Sequence, residues 1–219
     1  MPSTLRLLPK QLSKVLPVLV LALLCSCARD RHHVLRVSVQ DQQMALLTKG
    51  VEVARFTIST SKFGLGDIPG SNCTPLGKFE VARKIGAHQP LGMKFKDRKP
   101  TGEIVAINAP GRDPIVTRIL WLRGLENGNQ NAFERMIYIH GTPEEKKLGT
   151  PASYGCVRMR SRDVRDVFNT IGVGTRVFIH TGSLPPAPVA REEAPPSISH
   201  SAAPPSLSIA PPSGRHSSR

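Results

Sequence analysis

Between about Val34 and Thr181 the chain alternates short apolar runs with polar turns, the pattern of a β-rich domain. Leu35, Val37 and Val39 recur at every second position, as on a half-buried strand. Met44–Thr48 and Val51–Thr60 flank Lys49-Gly50, a hairpin turn signal. The apolar phase slips between Val53 and Phe56, so a bulge is expected there. Further strands are expected at Lys78–Arg83, Glu103–Asn108, Ile115–Leu122, Met136–His140 and Thr175–His180, with long loops at Gly64–Leu76 and Gly86–Thr101. One segment has helical spacing instead: Val164, Val167, Phe168 and Ile171 share a face, with Ser161 as the expected N-cap and Gly172 as the stop. The expected fold class is mainly β, a sandwich or open barrel with one or two packed helices.

The two ends break this pattern. Arg6, Lys10 and Lys14 precede a short apolar run, Val15–Leu24, too short to span a bilayer. That is the layout of an export signal, and it runs into Leu24-Cys25-Ser26-Cys27. The run resembles a bacterial lipobox, in which Cys27 would be lipidated after cleavage behind Ser26. Cys25 departs from the usual small residue at its position. The expected organisation is a signal peptide over 1–26, a linker over 27–33, a catalytic domain over 34–182 and a tail over 183–219. The tail is rich in Pro, Ser and Ala and lacks aromatic residues, so it is expected to be disordered.

The chain carries a net charge of +14, most of it on the central stretch. Such a surface suits an anionic partner. No basic helix, aromatic sheet motif or zinc-finger spacing points to nucleic acid, and none is expected as a partner. Only Cys73 and Cys156 lie in the central domain, too few for a disulfide framework, which directs attention to a working thiol. Cys156 follows Gly155, whose backbone freedom allows a sharp turn that presents the sulfur and nearby N–H groups. His140 ends a strand-like run, and the loop between them is long enough to return the thiol to the imidazole. Spacing alone leaves open a buried Cys and a structural His. Trp121 reads as a substrate platform or as core; His88 and His180 have no partner at metal spacing, and no metal or cofactor is expected.

The words around these residues are more specific. Ile139-His140-Gly141-Thr142, then Ser153-Tyr154-Gly155-Cys156-Val157-Arg158-Met159, with Thr74-Pro75-Leu76-Gly77-Lys78-Phe79 upstream, resemble the signature of the YkuD-type L,D-transpeptidases. The resemblance implies the catalytic fold of that family. It also implies that Cys156 attacks a peptide carbonyl, His140 takes the thiol proton and the Gly141 carbonyl orients the imidazole. Backbone N–H groups over Tyr154–Cys156, in the turn begun at Ser153, would hold the oxyanion. Arg158 would hold a stem-peptide carboxylate or serve in a structural ion pair, and Tyr138 would line the pocket or pack. Tyr154 stands where the family usually has His. The implied function is a cysteine-dependent acyl transfer on peptidoglycan stem peptides by an exported, envelope-side monomer held to the membrane by lipid. The alternatives are an L,D-carboxypeptidase or amide hydrolase with the same site, and a non-catalytic wall-binding lipoprotein.

Overall fold

The computed structural model describes residues 29–111 and 113–186. The signal, Cys27 and the tail from 187 onward lie outside the described residues. Among the described residues ten strands and one α-helix follow in the order β1 (His33–Ser38), β2 (Gln43–Thr48), β3 (Val51–Ser59), β4 (Gly77–Ile85), β5 (Met93–Lys96), β6 (Lys99–Ile104), β7 (Val116–Gly124), β8 (Tyr138–Gly141), β9 (Val157–Met159), α1 (Ser161–Thr170) and β10 (Arg176–His180). The sheet runs β4-β10-β1-β2-β3-β9-β8-β7-β5-β6, and a further pairing of β7 with β4 closes its first eight strands into a ring. The mainly β fold with one packed helix is as expected, and the sheet closes into a barrel. Closure removes the exposed edges that an open sheet would leave. The pairings are antiparallel except β1 with β10 and β8 with β9.

Alternation fixes which side chains face inward. Leu35 and Val37 of β1, Leu120 and Leu122 of β7, Ile139 of β8, and Val157 and Met159 of β9 meet in one core. Val164, Val167 and Phe168 of α1, with Ile171 at its C-cap, join it, all buried, as their spacing predicts. The helix starts differently from expectation. Ser161 is already in the first turn, its hydroxyl accepting from Thr117 at 2.9 Å, while its N–H is capped from outside by Glu145 at 2.9 Å. The hairpin at Lys49-Gly50 has positive φ at both residues, the two-residue turn that suits strand twist. The expected bulge is present: Leu46 pairs with Ala54 and Leu47 with Glu52, leaving Val53 as the extra residue.

β7 is buried along most of its length because both faces are covered. Its outward residues Ile119 and Trp121 pack with Met93 and Phe95 of β5 and with Tyr138 of β8. The β5–β6 hairpin lies in the stretch expected to be loop. Its short strands and the exposure of β6 leave little periodic signal. The expected strand Glu103–Asn108 instead has only its first residues in β6.

Two boundaries move. The linker assigned to 27–33 is, from Arg29 on, part of the domain. Asp30 accepts hydrogen bonds from the Gly172 N–H at 2.6 Å and the Thr175 hydroxyl at 2.8 Å, and Arg29 pairs with Glu80. A Cβ on Gly172 would lie 2.8 Å from that of Asp30, so the close approach needs glycine. At the other end, the tail assigned from 183 begins ordered. Leu184 is buried against Ala45 and Leu47, and its N–H donates to Asp41 at 2.7 Å. Neither attachment shows in local sequence, because the partners lie about 140 residues away.

Candidate active site

The parallel register sets Ile139 opposite Val157 and His140 opposite Arg158. Inward Ile139 and Val157 therefore put Tyr138, His140, Cys156 and Arg158 on the outer face of the barrel wall. The three-residue β9 was not expected as a strand, yet it carries this juxtaposition. Cys156 stands just before it, opposite Tyr138, with His140 one step along the same face, ~6.6 Å of strand away.

Three interactions shape the turn that delivers Cys156. Gly155 has φ +116°, a conformation open to glycine and strained for other residues, and a Cβ there would come within 3.2 Å of the Cys73 carbonyl. The Ser153 hydroxyl donates to the Cys156 carbonyl at 2.5 Å and accepts the Gly155 N–H at 3.3 Å. The Thr74 hydroxyl donates to the Gly155 carbonyl at 3.0 Å and accepts the Ser61 N–H at the same distance. Thus the Thr-Pro word upstream touches the nucleophile turn directly. The N–H groups of Tyr154 and Cys156 enter no hydrogen bond of this loop.

The Cys156 thiol is free and half-buried. It accepts the Tyr138 N–H and donates to the Met136 carbonyl, both at 3.4 Å. Among the described residues no hydrogen bond joins it to His140. Burial pushes its pKa up to about 11; the Tyr138 N–H and the Arg135 charge pull the other way. His140 is buried and bonds the Gly141 carbonyl through Nδ1 at 2.9 Å. A carbonyl only accepts, so Nδ1 carries the proton and Nε2 keeps its lone pair. Burial lowers the imidazole pKa, against the opposing pull of the Gly141 bond and Asp113. The resting pair is therefore a thiol and a neutral imidazole. Neither is ionised in advance.

Arg158 is almost wholly buried, paired with Asp113 and, at 3.1 Å, with Glu144. Two carboxylates already meet its one charge, so of its two expected roles the ion pair is the one observed. Asp113 was missed because it follows a Gly-Arg loop with no periodic signal; its Oδ1 accepts the Thr142 hydroxyl at 2.5 Å. Tyr154 is 63% exposed, packs on Phe63 with ring centroids 5.2 Å apart, and accepts from Lys62 Nζ at 3.2 Å. Tyr138 is buried with no partner for its hydroxyl. Trp121 is core rather than platform: it stacks on Phe133 at 4.3 Å and donates its N–H to the Phe133 carbonyl. Cys73 is also a free thiol, its Sγ donating to the Phe63 carbonyl.

Cys156 opens on a cavity of about 300 Å³ lined by Phe95, Arg98, Met136, Tyr138 and Tyr154 among others. A second cavity of about 420 Å³, lined by Lys62, Asp113, Glu144 and Arg158, also borders Tyr154.

The family model of the YkuD L,D-transpeptidase catalytic domain matches residues 32–179. YqjB of Bacillus subtilis is 49% identical over 45 residues, which is 20% of this chain and 26% of YqjB. YkuD of Bacillus licheniformis is 28% identical over 109 residues, 49% of this chain and 61% of that protein. The chain thus covers less than two thirds of the length of either relative. L,D-transpeptidase 3 from Mycobacterium tuberculosis is a similar solved structure, with TM-score 0.45 and 16% identity over 68% of this chain and 61% of that one.

Proposed function

Because this chain belongs to the YkuD family of L,D-transpeptidase catalytic domains, we propose that it transfers the acyl group of a peptidoglycan stem peptide through a thioester on Cys156. The observation that carries this reading is the free Cys156 thiol, open to a cavity and placed on one barrel face with an imidazole whose Nε2 is free to accept a proton. In the first step His140 takes the thiol proton as sulfur attacks the scissile carbonyl. The N–H groups of Tyr154 and Cys156 are the available donors for the oxyanion. The C–N bond then breaks, the leaving amine takes the proton from His140, and the C–S bond of the thioester remains. In the second step an acceptor amine attacks the thioester and His140 takes its proton; the C–N bond forms as the C–S bond breaks, and His140 returns the proton to the departing sulfur.

Burial disfavours the thiolate, so in this reading proton transfer accompanies attack. The thiol must also turn from the Met136 carbonyl toward Nε2, a rotation about one side-chain bond. Water in place of the amine would make the same site an L,D-carboxypeptidase. A wall-binding role without catalysis would not require the thiol. Export and a lipid anchor at Cys27 belong to the same proposal; they place the enzyme on the envelope side of the membrane. Mass measurement of the mature N-terminus should show a lipidated Cys27, and an unmodified N-terminus elsewhere would refute the anchor.

The test of the chemistry is product analysis with defined muropeptides. Cys156→Ala should abolish product and His140→Ala should nearly do so, and the double variant should be little worse, since the two act as one unit. Cys73→Ala should retain activity. Muropeptide turnover by Cys156→Ala would overturn the assignment of the nucleophile. An inert but folded parent would favour the wall-binding reading.

A further inference from the structure

Asp97 and Arg98 form the two-residue tip of the β5–β6 hairpin, with φ of +50° and +66°. Such turns favour Asn or Asp followed by Gly, because both residues lie in the left-handed region. An arginine at the second position costs stability, and residues kept in strained conformations cluster where they serve a function. The Arg98 guanidinium lies 5.2 Å above the Trp121 ring and contacts Met136 sulfur at 3.1 Å. These contacts hold it in the lining of the Cys156 cavity.

The other charges of that lining are accounted for. Arg135 is buried and paired with Asp67 at 2.9 Å. Asp97 is exposed and forms no ion pair among the described residues. Arg98 likewise has no carboxylate partner among the described residues, which leaves it the unpaired cation in the lining of this cavity. The Tyr138 hydroxyl, buried and without a partner, lines the same cavity and supplies a second donor. Burial raises its pKa, with Arg98 beside it pulling the other way, so the hydroxyl stays protonated at neutral pH, a donor for a carboxylate. Arg158 lines the other cavity rather than this one, and Asp113 and Glu144 already meet its charge through Nη1.

We infer that Arg98, with the Tyr138 hydroxyl, binds the free carboxylate of the residue that leaves from the acyl donor. The inference rests on Cys156 being the nucleophile of the proposed reaction. A terminal carboxylate lies one residue beyond the scissile carbonyl, ~4 Å away, within the reach of a cavity that both Cys156 and Arg98 line. A planar guanidinium matches a carboxylate in two-point geometry.

The test uses the full chain with Cys156→Ala, which holds donors without turnover. Its ligands are a synthetic tetrapeptide stem with a free C-terminus and the same peptide as its C-terminal amide, titrated by calorimetry. The acid should bind roughly tenfold tighter than the amide. Adding Arg98→Gln should bring the ratio near one, and Arg98→Lys should leave part of it. Arg98→Gly removes the charge while relieving the turn, so loss of discrimination in that variant has no folding explanation. Equal binding of acid and amide, or a preference that survives Arg98→Gln, would overturn the inference. If the parent still acylates Cys156 in that case, the catalytic reading stands without it; if neither peptide binds, the inference and the proposed donor both fall.

Discussion

At the scale of single residues, the site is a compromise between burial and charge. Cys156 sits where desolvation disfavours the thiolate, and His140 where it disfavours the imidazolium. His140 works as a base only when neutral. Its lowered pKa keeps it neutral below the ordinary histidine range, so the acid limb of the kcat/KM profile should fall below about pH 6.5. Alkylation of Cys156 by iodoacetamide, followed on the peptide that carries it, should keep rising with pH through and beyond neutrality. A plateau near pH 7 would mean a preformed thiolate and would contradict the neutral pair. Cys156, His140, Gly141 and the glycine turn at Gly155 were legible as words in the sequence. Asp113 and Glu144 were not, because an ion pair assembled from two loops leaves no local pattern. Nor was Arg98, since its turn has Arg where the readable signal would be Gly.

At the scale of elements, periodicity served well wherever one face was buried and the other wet. The helix face was readable from four apolar positions, and all four are in the core. Phe168→Ala should cost about 3–5 kcal/mol in denaturant unfolding, because the ring is buried within packed neighbours. Leu184→Ala should cost about 2 kcal/mol, the lower end of the range for leucine, since it sits in a small satellite cluster. No change for Leu184→Ala would mean that the segment after β10 is only laid on the surface. β9 and the β5–β6 hairpin escaped the sequence for a different reason. Each is short, and β9 alternates large residues on both faces, so neither shows a clean period of two. Burial of both faces likewise turned β7 into a continuous apolar run, whose outward half reads as core until the hairpin that covers it is seen.

At the scale of the molecule, Asp30 ties the start of the described domain to the turn after the helix. Burial alone would raise its carboxyl, but hydrogen bonds from Gly172, Thr175, His33 and His32 hold it far below the usual carboxylate range. A depressed folded pKa contributes stability that is present above the unfolded value near 3.8 and lost as pH falls through the folded one. Asp30→Asn should therefore lower stability at neutral pH by about 2 kcal/mol and remove part of the parent's loss of stability below about pH 4, measured by urea unfolding across pH. A variant as stable as the parent at neutral pH would show that the tie is incidental. The cyclic strand order adds a last point. In the ring of eight, β1 stands four strands from β8 in either direction, so the incoming chain joins the wall opposite His140, and the segment after β10 returns to β2 and β3, with Leu184 against Ala45 and Leu47 and Arg55 donating to the Pro185 carbonyl. A bead, surface or reporter protein fused ahead of residue 29 would thus join the barrel on the wall opposite the thiol.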